Sequence, residues 1–187
     1  MSMTKENDIA VMSSKIESLE TELNQLNTYG RRQNIEISGV PDHIRNDELE
    51  SEIIGFLRSI GVHDLCHNEI SACHRLKYKV PGEKHHRVIV RFINRKRAEQ
   101  CIRNRRYIRY TRAANDVNIY ENMTPFNKKL IEKCKQLKDG GSIETFWFNK
   151  GVVHIRRPNE HHRVVRILHS NDIDRFISNA NRGLNPS

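Results

Sequence analysis

The chain has 187 residues, of which 36% are apolar and 29% charged, and its formal net charge is +9. That length holds one or two small domains with modest cores, and the excess of base points to nucleic acid or another anionic surface as a partner. No window is apolar for long enough to span a bilayer, and the N-terminus lacks the basic start and apolar block of a secretory signal. A membrane-spanning chain is therefore excluded, and an intracellular protein of nucleus or cytoplasm is expected.

Ile9, Met12, Ile16, Leu19, Leu23 and Leu26 recur at alternating spacings of three and four, a heptad seam with Ile9, Ile16 and Leu23 at a and Met12, Leu19 and Leu26 at d. A single amphipathic helix packed on its own domain is the competing reading. An isolated helix of this length is marginal in water, and self-association through the seam would stabilise it. Ile at a with Leu mostly at d leans toward a dimer, although three heptads specify oligomer state poorly. Residues 1–30 are thus expected to form a coiled coil that ends at Tyr29-Gly30.

Period two then takes over. Ile35 and Ile37 point inward, Asn34, Glu36 and Ser38 outward, and Gly39-Val40-Pro41 turns the chain. Asn46 or Asp47 is expected to cap a helix whose buried stripe is Leu49, Ile53, Ile54, Leu57 and Ile60, stopped by Gly61. A strand near Ile70–Leu76 and a polar loop to His86 precede Arg87–Phe92. There Val88, Val90 and Phe92 face a core while Arg87 and Arg91 face outward. Asn94 caps the next helix, with Ala98, Cys101 and Ile102 on its apolar side. Around them lie Arg95, Lys96, Arg97, Arg103, Arg105, Arg106, Arg109 and Arg112, with Glu99 the one acid. A solvated helix face is the plain reading of such a run. The scarcity of carboxylates and the dominance of Arg, whose planar fork suits phosphate, favour a polyanion-binding element. A strand around Val117–Tyr120 completes a β-α-β-β-α-β order over residues 31–122, the ferredoxin-like arrangement of RNA-recognition motifs.

Residues 123–180 predict a second small α+β domain, followed by a flexible tail at 181–187. Thr124-Pro125 opens a helix with Leu130, Ile131, Cys134 and Leu137 on one face. Ile143–Phe148 and Val152–Arg156 flank the hairpin turn Asn149-Lys150-Gly151, and a strand at Val164–Leu168 leads to a short helix, Asn171–Ile177.

Taken together, RRQNIEISGVP after a coiled coil, then HR and RVIVRF, then NIYENMTPFNKKLIEKCKQLK and FWFNKGVVHIRR resemble the baculovirus few-polyhedra (FP) protein family. They resemble equally the related first-reading-frame proteins of long interspersed retroelements. The likeness runs from Ile9 to Ile177 with the pieces in order. It implies a coiled coil, an atypical RNA-recognition motif and a C-terminal domain, joined in a homotrimer that binds single-stranded RNA or DNA as a chaperone. The coiled coil of this chain is short by comparison.

The outward sheet positions, Glu36, Arg87 and Ile89, lack the aromatic rings on which an ordinary RNA-recognition motif stacks bases. Phosphate contacts, which carry affinity without sequence choice, are expected to dominate. Trp147 lies on the hairpin face opposite Phe146 and Phe148, so at least one ring should reach solvent; core packing suits the Phe pair. A cleft lined by Arg103, Arg105, Arg106, Lys128, Arg156 and Arg157 would hold a single strand, with Tyr107 and Tyr110 in reach.

His63, Cys66, His67, Cys73 and His74 do not have the spacing of a zinc finger, and no metal or other cofactor is expected. The His85-His86 and His161-His162 pairs fall in polar loops. Four widely spread cysteines without a Cys-x-x-Cys predict free thiols. No P-loop, nucleophile elbow or His-Glu-x-x-His is present, so binding rather than catalysis is expected. An assembly protein, recruiting others by its coiled coil and meeting acidic partners with its basic surface, is the alternative from a different class.

Overall fold

The computed structural model describes residues 2–112, 116–158 and 163–182. His161, His162 and residues 183–187 of the expected tail lie outside the described residues. The chain is mixed α+β, with a long N-terminal helix and two antiparallel sheets. It divides into two compact units, Gly30–Asn122 and Met1–Tyr29 with Met123–Ser187. No helix among the described residues is long and apolar enough to cross a membrane.

In the middle unit, β1 (Asn34–Ser38), α2 (Asn46–Ser59), β2 (Ile70–Arg75), β3 (Val88–Phe92), α3 (Arg95–Asn104) and β4 (Asn118–Glu121) follow in order. The strands lie as β2-β3-β1-β4, every neighbouring pair antiparallel. Alternation sends Ile35, Ile37, Val88, Val90, Phe92 and Ile119 to one face, where Leu49, Ile53 and Leu57 of α2 and Ala98 and Cys101 of α3 complete the core. Asn94 caps α3 by accepting from the Lys96 N–H, at 2.9 Å. For α2 the expected Asn46 or Asp47 cap is replaced by Arg45, whose side chain makes no cap bond and instead pairs with Asp47 and Glu48. Gly39 has φ +79, and a Cβ there would run into the Asp116 carbonyl, so the turn after β1 requires glycine.

The composite unit contains α1 (Ser2–Arg31), α4 (Pro125–Asp139), β5 (Thr145–Asn149), β6 (Val152–Arg156), β7 (Val164–Ile167) and α5 (Ser170–Arg182). Thr124 caps α4 through the Asn127 N–H, at 3.1 Å, with Pro125 opening the helix. Lys150 and Gly151 both take positive φ, the two-residue turn that suits a twisted hairpin. Leu130, Cys134, Ile143, Val153, Ile155, Ile167, Ile173 and Phe176 form the core, with Phe146 and Phe148 packed against it.

Helix α1 continues past Gly30 to Arg31. Its half-buried residues are not the apolar seam but Glu17, Thr21, Asn24 and Thr28, also at spacings near three and four. Asn24 accepts from the Thr124 hydroxyl at 2.6 Å and donates to Asn127 at 3.2 Å. Asn127, 2% exposed, donates in turn to Thr28 and to the Gly151 carbonyl. Thr21 meets His169 at 2.7 Å, and Asn171 donates to Glu17 at 2.6 Å. Ile9, Met12, Ile16, Leu19, Leu23 and Leu26 stay between 51% and 72% exposed. The helix is held to its own unit by polar groups at b and f positions, and the a and d seam is left outside.

Candidate functional site

Period two places Glu36 on the outer face of the first sheet, yet it is 1% exposed. Arg87 donates to it at 2.9 Å and Asn122 at 2.6 Å, while Arg31 donates to Asn122 at 2.9 Å. Arg87 also forks onto Glu83 and lies 4.4 Å from the centre of the Tyr120 ring. Two carboxylates hold its guanidinium protonated, against a desolvation that opposes the charge. Arg87 therefore does not point a free guanidinium at solvent, as its alternation suggested. It closes a buried ion pair that covers the centre of the sheet, where bases would stack in an ordinary RNA-recognition motif.

Arg97 is also turned inward. It donates to Glu69 at 2.6 Å and to both oxygens of Asp64 at 2.9 Å. These bonds hold the Asp64 carboxyl below the ordinary aspartate range. Glu99 is taken by Arg32 at 3.1 Å. What remains is a set of exposed cations: Arg91, Arg95, Lys96, Arg103, Arg105, Arg106, Arg109 and Arg112. Among the described residues none of them has a carboxylate partner.

Helix α3 ends at Asn104, and Arg105–Tyr110 continues as a 3₁₀ segment rather than as α-helix. Ile108, 5% exposed, is its anchor to the core. The tighter winding leaves Arg105, Arg106, Tyr107, Arg109 and Tyr110 exposed around that one apolar contact. Arg106 stacks 4.9 Å from the Tyr107 ring centre and Arg109 5.0 Å from that of Tyr110. Arg106 also donates to the Tyr107 hydroxyl at 3.1 Å, and in such pairs the remaining N–H groups of the guanidinium can still meet a phosphate oxygen.

In the composite unit Trp147 stacks on His154, with ring centres 5.4 Å apart and planes 6° from parallel. The His154 Nδ1–H donates to the Val152 carbonyl, at 3.1 Å, and so orients the ring. The register Trp147↔His154↔Arg166 puts all three on the face away from the core. Arg156 pairs with Glu144 at 3.0 Å, and Arg157 donates to the Phe176 carbonyl at 2.6 Å with its plane over the Phe176 ring. These two arginines serve the packing of the unit. Lys128 is exposed on the first turn of α4.

The sequence reading named Arg87, Arg97, Arg156 and Arg157, which have internal partners, as well as the exposed arginines and Trp147, and it did not name His154 and Arg166. Only their register against Trp147 reveals them. Of the histidines and cysteines between 63 and 74, His67 meets Glu50 at 2.6 Å, Cys66 donates to the Asp64 carbonyl, and Cys73 packs against the core. Burial pushes the Cys73 and Cys101 thiols up to about 12 and Cys134 up to about 11, so none is a thiolate at neutral pH. No protein-family model matches the chain, and comparison with curated proteins finds no match either.

Proposed function

We propose that this chain is a self-associating protein that binds single-stranded nucleic acid, of the kind that baculovirus FP proteins and the first-reading-frame proteins of long interspersed retroelements represent. The observation that carries the reading is the sorting of charge in the middle unit. Arg87 and Arg97, each beside two carboxylates, are drawn inside, and Arg91, Arg95, Lys96, Arg103, Arg105, Arg106, Arg109 and Arg112 stay at the surface without a carboxylate partner among the described residues. Arg–Tyr stacks within that set offer both a phosphate fork and a π-face. The strand order β2-β3-β1-β4, with both helices on one side, supports reading the unit as an atypical RNA-recognition motif. Contacts of this kind bind phosphate and discriminate poorly among sequences.

The exposed seam of α1 supports a coiled coil with further copies of the chain, and the family resemblance makes the assembly a trimer. Deleting the helix would also remove the partners of Thr124 and Asn127, so the clean test is Leu19→Gln with Leu23→Gln. Light scattering should then report a folded monomer; an unchanged mass would place the self-association elsewhere. The nucleic-acid reading is tested by titrating labelled single-stranded RNA and DNA at two salt concentrations. Binding should weaken steeply as salt rises. Absence of binding at low salt would favour the second reading, a scaffold that presents its basic surface to acidic proteins.

A further inference from the structure

Between β7 and α5 lies a concave pocket of about 730 Å³ that no motif in the sequence marked. Its cationic rim is Arg163, Arg166 and Arg175, and Val165, Leu168 and Phe176 supply apolar lining. Among the described residues none of these three arginines has a carboxylate partner. The nearby acids are turned elsewhere. Asp172, which also lines the pocket, accepts from the Leu168 and His169 N–H groups at 2.9 Å each. Asp174 is held by Lys133 at 2.8 Å, and Glu17 by Asn171. These three arginines thus line one concavity, and the one carboxylate among the described residues of that lining, Asp172, is engaged by two backbone donors.

We infer that this pocket is a binding site for a phosphate group. Arg166 lies at the end of the cross-strand row Trp147, His154, Arg166. Two strand spacings, about 10 Å, separate the backbones of Trp147 and Arg166. A base on the Trp147 face and a phosphate of the same short strand in the pocket fit that span. The site rests on the nucleic-acid reading above for its macromolecular ligand, but its chemistry, an oxyanion forked by arginines, is equally that of a free phosphate.

The test uses the full chain and its Arg163→Ala, Arg166→Ala, Arg175→Ala variant, with circular dichroism as fold control. A short oligothymidylate is titrated across a salt series, and pyrophosphate is titrated alone by calorimetry. Loss of three phosphate contacts should lower the salt slope for the oligonucleotide by about 2, at roughly 0.7 per contact. Pyrophosphate should bind the wild type and not the variant. If the wild type binds the oligonucleotide but the variant keeps its slope, the pocket is not a phosphate site, while the nucleic-acid reading stands. If the oligonucleotide fails to bind and pyrophosphate binds only the wild type, the pocket stands as a site for free phosphate and the nucleic-acid reading falls. Binding of neither probe overturns the site. Should the triple variant misfold, Arg163→Ala with Arg166→Ala, both exposed, one just before the edge strand and one on it, gives the same readout with a slope change of about 1.4.

Discussion

Just before β3 Arg87 sits between Glu83 and Glu36 with its side chain 15% exposed, whereas along the 3₁₀ segment Arg105, Arg106 and Arg109 are exposed, the last two beside tyrosines. Both groups belong to one unit and one residue type. What separates them is the supply of carboxylates brought within reach by the fold. An arginine whose charge is already neutralised has little attraction left for phosphate, and removing it harms the fold. On the proposed nucleic-acid reading, removing an arginine without a carboxylate should leave the fold intact and weaken binding.

The largest effect should come from Arg87→Ala. It would strand Glu36 as a buried carboxylate, and losing one partner of such a pair costs about 3 kcal/mol or more. Urea unfolding measures this; a loss under about 1 kcal/mol would show that Asn122 suffices to hold Glu36. Next comes the joint change of Arg103, Arg105 and Arg106 to Ala. These side chains are exposed, so the unfolding midpoint should hold, while the salt slope for a single strand drops by about 2. At ~0.1 M salt that slope corresponds to roughly 100-fold weaker binding, and the loss should be alike for different sequences. A folded variant with unchanged slope would make these arginines a solvated face and dissolve the distinction drawn above.

Trp147→Ala sharpens the same contrast from the uncharged side. If a base stacks on that ring, affinity should fall by about 1–3 kcal/mol with little change in slope. A change in slope instead would mean that the ring acts by positioning Arg166. The smallest effect concerns Arg97. Its bonds keep the folded-state pKa of Asp64 below the ordinary 3.8, so the stabilisation is complete above that value and is lost as pH falls through the lower folded value. Arg97→Met should therefore flatten the acid limb of the stability curve, as read by denaturant midpoints from neutral pH down to about 3. An identical limb in both proteins would show that the exposed Asp64 gains nothing from the pair.

Much of the local architecture was legible in the residues. Asn94 and Thr124-Pro125 mark helix starts because their side chains or rings satisfy helix-end requirements without outside help. Lys150-Gly151 marks its hairpin through backbone sterics alone. Ile35, Ile37, Val88, Val90 and Phe92 declare an inner face because period two is a property of the strand itself. Glu36 and Ser38, 1% and 7% exposed, were the exceptions on the first strand. The alternation of Glu36 was read correctly and its exposure was not, because Arg87, just before β3, and Asn122, just after β4, reach it.

The α1 helix shows the same limit. Its heptad seam is plain in the chain, but the stripe that packs within the composite unit is the polar one, Glu17, Thr21, Asn24 and Thr28. No hydrophobic period announces a stripe held by hydrogen bonds to Thr124, Asn127, His169 and Asn171.

By itself the sequence determined the order of helices and strands, the apolar stripes of the main strands and helices, the seam of α1 and the Arg-rich stretch, because those follow from side-chain periodicity, capping and charge carried by neighbours along the chain. Only the tertiary structure decided which arginines are paired and which remain open, that His154 and Arg166 lie beside Trp147, and that Arg163, Arg166 and Arg175 share a pocket. Pairing acts over a few ångströms between residues far apart in sequence, and strand register and helix docking set those distances.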